Sequence, residues 1–143
     1  MINDILELRE IIEQKNHLLR REARLSAPTL RDQELLPQLH QWFTQLCRDG
    51  RPIYRRRQFI LIALQLYAPA VLAGQRIPKG LRQHIADAAG FSDSTFISHN
   101  IDTLFFHYRH YTRFREETDR LHTRLLDRLR QEGHLPPDSR KDA

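Results

Sequence analysis

Leu81-Arg82-Gln83-His84-Ile85-Ala86-Asp87-Ala88-Ala89-Gly90-Phe91-Ser92-Asp93-Ser94-Thr95-Phe96-Ile97-Ser98-His99 reads as helix, tight turn, helix. A helix-turn-helix needs a small residue where its second helix crosses the first, and Ala86 supplies one. The turn needs a residue that tolerates positive φ, and Gly90 stands four residues later. The second helix then presents short polar side chains at its N-terminal end, where free amides and the positive end of the helix dipole meet phosphates and base edges. Ser92, Ser94, Thr95 and Ser98 form that set, with Ser92 expected to cap a helix over 92–110.

Beyond the turn, Ile97, Ile101, Leu104, Tyr108 and Tyr111 repeat at three and four residues and predict one buried stripe. The first four fall within about 60° of one another on a helical wheel. Phe96 lies at their flank, which leaves Thr95, Ser98, His99 and Asp102 facing outward. From Phe91 through Tyr108 there is no Lys or Arg. Phosphate charge must therefore be neutralised from outside this helix. The expected source is Arg48, Arg51, Arg55, Arg56 and Arg57, five arginines with one acid, Asp49, in ten residues. Lys79 and Arg82 can add to it from the start of the first motif helix.

Outward from the motif, helical spacing recurs and no long period-two alternation occurs, so the chain is read as all-α. A first helix over about residues 2 to 25 carries Ile2, Ile5, Leu8, Ile12, Leu18 and Leu19 on a stripe that needs a partner surface. A second carries Leu35, Leu36, Leu39, Trp42, Phe43 and Leu46, with Pro37 in its first turn. Arg51-Pro52 opens an Arg-rich connection, and Phe59 to Tyr67 is apolar nearly all round, as a central core helix is. Pro69, Gly74 and Pro78 punctuate the next stretch, before a short helix from about Lys79 to Ala89. A last amphipathic helix runs through Phe114, Leu121, Leu125 and Leu129 to Gly133. The expected organisation is an N-terminal helical extension over 1–50, a DNA-binding domain over 51–133 and a flexible tail over 134–143.

Gly90-Phe91-Ser92-Asp93-Ser94-Thr95-Phe96-Ile97-Ser98-His99, together with Arg57-Gln58-Phe59-Ile60-Leu61-Ile62-Ala63-Leu64 behind a basic loop, resembles the C-terminal DNA-binding domain of the bacterial replication initiator DnaA. Ile101 and Leu104 occupy the family's apolar slots, and Phe114-Arg115-Glu116-Glu117 opens its last helix. The resemblance covers about residues 51 to 125. It implies a Trp-repressor-like helix-turn-helix domain that reads the major groove. It places Asp93 in the slot of a base-reading aspartate and Thr95 in that of a serine. Ser94 stands where the family has a base-contacting histidine, and Phe96 where it has a threonine. No G-x-x-x-x-G-K-[ST] loop occurs, so the initiator's ATPase activity is not expected of these residues.

Composition sets the outer bounds. Twenty-three Lys and Arg against 18 Asp and Glu give +5 over 143 residues, which suits a polyanionic partner. With 40% hydrophobic and 29% charged residues the chain is expected to fold. Cys47 is the single cysteine, so no internal disulfide or cysteine-based zinc cluster can form, and a reducing, cytoplasmic setting is expected. The apolar run from Phe59 to Ala73 is too short to span a bilayer. The expected partners are double-stranded DNA and a second copy of the chain, with no membrane, cofactor, metal or small-molecule substrate. His107 and His110 lack a third ligand at metal spacing. No nucleophile–base set can be assembled, so no enzyme is expected, and the output would be control of replication or transcription. The alternative is a helical protein–protein adaptor in which the same motif is scaffold.

Overall fold

A computed structural model of the chain describes residues 1–47 and 49–137. Arg48 of the arginine run and 138–143 of the tail lie outside them. Apolar residues at helical spacing, broken by Pro and Gly, divide the described residues into α1 (Ile2–Ser26), a 3-10 turn (Gln33–Leu35), α2 (Leu36–Leu46), α3 (Pro52–Tyr67), α4 (Pro69–Leu72), α5 (Leu81–Ala89), α6 (Thr95–His110) and α7 (Thr112–Gln131). The described fold is all-α, and none of these helices is long and apolar enough to cross a membrane.

Helix α3 is the hub. Every residue from Gln58 to Leu64 is buried, as the all-round apolar sequence requires. Around it pack α2 with Leu36, Leu39, Trp42 and Phe43, and α5 with Leu81, Ile85 and Ala86. Helix α6 adds Ile97 and Leu104, and α7 adds Phe114, Leu121, Leu125 and Leu129 on one heptad-like stripe. All belong to one continuous core. Of the residues 1–50 read as an extension, only α1 stands off this core, since none of its residues is buried. The segment behind it is tied down at the end of α3. The Thr29 and Leu30 amides both donate to the Leu66 carbonyl, and the Tyr67 hydroxyl donates to the Asp32 carbonyl at 2.7 Å.

Three local expectations need correction. The Arg-rich connection is helical: Pro52 sits at the first position of α3, where its missing N–H and fixed φ suit a helix start, so Arg55, Arg56 and Arg57 ride on its first turns. The short one-turn helix α4 was hidden among the Pro and Gly of 69–78. Tyr111 is exposed rather than part of the α6 stripe, because it is the extended residue between α6 and α7.

The α5–α6 turn follows its sequence. Gly90 ends α5 at φ 77°, and the Phe91 amide donates to the Ala86 carbonyl at 2.8 Å, closing a Schellman-type cap. A Cβ at Gly90 would meet nothing within 4 Å. Gly90→Ala is therefore expected to lower stability through backbone strain alone, by about 1–2 kcal/mol. Gly90→Asn should cost less, a difference that urea denaturation would resolve.

Candidate nucleic-acid interface

The start of α6 is organised by Asp93. Its Oδ1 accepts from the Thr95 amide at 2.9 Å and the Thr95 hydroxyl at 2.6 Å, so Asp93 rather than Ser92 caps the helix. These hydrogen bonds, from the hydroxyl first and then the amide, hold the Asp93 carboxyl below its ordinary range despite a small opposing desolvation. The cap fixes the aspartate where the turn meets the helix. It also engages the Thr95 hydroxyl, one of the groups expected to face a partner. Ser94 precedes the helix with no side-chain cap of its own, and His99 is exposed one turn further on.

Helix α6 carries no Lys or Arg over its first three turns, and neighbouring elements supply the charge. Arg82 of α5 donates through Nη1 to the Ser98 hydroxyl at 2.9 Å. Arg82 lies one turn before Ala86, on the face of α5 that meets α6, so the i to i+4 spacing was the sequence signal for this contact. From α3, the guanidinium of Arg56 lies over the Phe91 ring, 4.4 Å from its centroid. Phe91 in turn meets Phe96 edge to face at 5.9 Å. Two arginines from two helices thus converge on the turn and the N-terminal end of α6. No local spacing connects Arg56 with Phe91, which lie 35 positions apart in sequence.

The other basic residues differ in their freedom. Arg57 is half-buried, with no ion-pair partner among the described residues. Burial and the charge of Arg57 together hold the His107 imidazole below its ordinary pKa. Lys79 is exposed just ahead of α5, beside Gly80, and Arg51 is exposed ahead of α3.

Arg55 is committed to the interior of the fold. Its Nε donates to the Asp49 carbonyl at 2.9 Å, and Nη1 to the Gln58 Oε1 at 2.9 Å, with the Glu117 carboxylate at 3.8 Å. Glu117 also accepts from the Tyr54 hydroxyl at 3.0 Å, from Gln58 Nε2 at 3.5 Å and from Arg113 at 3.1 Å. This network joins α3 to α7 and satisfies the fully buried Gln58. Partial burial pushes the Glu117 carboxyl up, but the hydrogen bonds from Arg113 and Tyr54 and the charges of Arg113 and Arg55 outweigh it. Its folded pKa is depressed, so its stabilisation is complete above the ordinary carboxylate range and is lost as pH falls through the folded value. Glu117→Gln is expected to cost about 1–3 kcal/mol near neutrality. Its melting temperature should also fall less than the wild type's on acidification below pH about 4.5.

A cavity of about 290 Å³ lies beside Arg56, lined by His40, Phe43, Cys47, Phe59, Ala89 and Phe91 among others. Burial raises the Cys47 pKa against the charge of Arg55, which keeps the thiol protonated near neutrality. At the far end of α6, Phe105, Phe106 and Tyr111 are exposed, and the Phe106 ring meets the His110 ring at a tilt, centroids 4.4 Å apart. No cluster of three or more His, Cys, Asp or Glu side chains among the described residues could hold a metal. The chain matches no protein-family model, curated protein or solved structure.

Proposed function

We propose that the chain is a sequence-specific double-stranded DNA-binding protein whose helix-turn-helix is α5, the Gly90 turn and α6. In this reading the N-terminal end of α6 enters the major groove, as in the Trp-repressor-like domain of the DnaA initiator that residues 51–125 resemble. The observation that carries it is the convergence of Arg56 and Arg82 on a helix end that has no Lys or Arg of its own. A helix N-terminus, positive from its own dipole, does not by itself attract cations, whereas a groove-reading helix needs its flanking phosphates neutralised. Arg57, Lys79 and Arg51 extend the same basic surface. Ser94 and His99 are the side chains left to reach bases, and Asp93 holds the helix start. Arg55 shapes the surface without contacting DNA. The output would be control of replication or transcription in the cytoplasm.

Salt-titrated binding to random duplex DNA tests the reading directly. Affinity should fall steeply with salt, and selection from a random pool should enrich one motif. Salt-insensitive or undetectable binding overturns it. The double substitution Ser94→Ala with His99→Ala should relax preference at one or two base pairs, by about 1–3 kcal/mol each, with the melting temperature preserved. The exposed Phe105, Phe106 and Tyr111 favour a second reading, a protein–protein adaptor. In that case, Phe106→Ala would abolish partner capture, and substitution of Arg56, Arg57 or Arg82 would leave it unchanged.

A further inference from the structure

Helix α1 is 25 residues long, about 37 Å, and none of it is buried. Ile5, Ile12 and Leu19 recur every seven residues, as do Ile11, Leu18 and Leu25, and each of these side chains is at least 44% exposed. Leu8, Lys15 and Glu22 form the row between them. A surface of this extent in water requires a cover. The two halves of the helix carry opposite charge. Residues 2–13 hold Asp4, Glu7, Glu10 and Glu13 against Arg9, a net of −3, whereas 14–26 hold Lys15, Arg20, Arg21 and Arg24 against Glu22, a net of +3.

We infer that α1 pairs antiparallel with α1 of a second copy of this chain. A parallel pair would set −3 beside −3 and +3 beside +3, and would stack Glu22 on its own counterpart. An antiparallel pair lays the acidic half of each helix along the basic half of the other and closes on a twofold axis. The charge pattern also complements each helix's own dipole, but that effect leaves the apolar rows uncovered. Each globular body is attached at the C-terminal end of its α1, so the two bodies lie at opposite ends of the paired helices. The inference rests on α1 alone and is independent of DNA binding.

Light scattering of the full chain should give a dimer. Reversing the acidic half with Glu7→Lys, Glu10→Lys and Glu13→Lys lays like charge along like charge in the antiparallel pair and should raise the dimer Kd about tenfold. Adding Lys15→Glu, Arg20→Glu and Arg21→Glu to the same chain should restore it. In a Cys47→Ser background, a short bis-maleimide should link two chains through Lys15→Cys, near the helix midpoint, but not through Asp4→Cys or Glu22→Cys alone. Because α1 has no buried residue, all these variants should melt with the wild-type transition, which controls for folding. Indifference to the half reversal, or linkage through Asp4→Cys, overturns the antiparallel pairing. A monomer at micromolar concentration overturns it outright, including one that sediments with anionic lipid vesicles.

Discussion

Replacing Arg56, Arg57 and Arg82 together by Ala is expected to weaken binding to every duplex, whatever its sequence, and to flatten the salt dependence. Three phosphate contacts correspond to a change of up to about 2.7 in the slope of log affinity against log salt. Between 50 and 200 mM salt the wild type should consequently lose about 40-fold more affinity than the variant. The expectation follows from position. Arg56 and Arg82 reach the turn and the first turns of α6, while Arg57 lies near its later half, beside His107. Arg55→Ala is the contrasting control. Arg55 is hydrogen-bonded to Asp49 and Gln58 and faces Glu117, so its loss should lower stability and leave the slope nearly intact. Salt-titrated fluorescence anisotropy on random duplex, with a thermal melt of each variant, separates these outcomes. An unchanged slope in the triple variant would remove the role assigned to the arginines.

Ile97→Ala should destabilise the fold by about 2–5 kcal/mol, the range for truncating a fully buried branched side chain. Ile97 is 0% exposed and sits where α6 crosses the core. Phe96, its neighbour, is only partly buried and meets Phe91 at the surface. Phe96→Ala should accordingly cost less, despite removing more atoms, and should disturb the Arg56–Phe91 arrangement more than the core. Denaturant unfolding of both variants checks the order. If Phe96 proved the costlier site, α6 would be rotated from the register described, and Ser94 and His99 would no longer point outward together.

Much of the fold was legible because it depends on short-range pattern. Phe59 to Leu64 admitted no polar face, which made α3 central, and Ala86 with Gly90 located the α5–α6 turn. The spacing of Ile97 and Leu104 identified the inward side of α6. Long-range pairing was not legible. That Arg55 would be held by Asp49, Gln58 and Glu117 depends on α7 returning beside α3, 59 residues further along for the Gln58–Glu117 pair. A run of arginines shows charge but not which member folds inward. The Arg-rich segment was read as a connection because its charge outweighed the helix-start signal of Pro52. Asp93 was read as a base contact by resemblance, whereas its carboxylate also closes the local cap.

The contrast between α1 and α3 has a consequence for the timescales on which this protein opens. The amides of α3 from Gln58 onward, in its buried stretch, can exchange hydrogen with solvent only when the whole core comes apart, and so should report the global unfolding free energy. Those of α1 in an isolated chain, away from its C-terminal end against α4, lack tertiary protection, and their exchange is governed by the fraying of a single helix in water, orders of magnitude faster. Anything that clasps α1 would therefore appear first as slowed exchange in residues 2–26, with α3 unaltered. A protease would find its earliest cut in the same segment and leave the globular body whole.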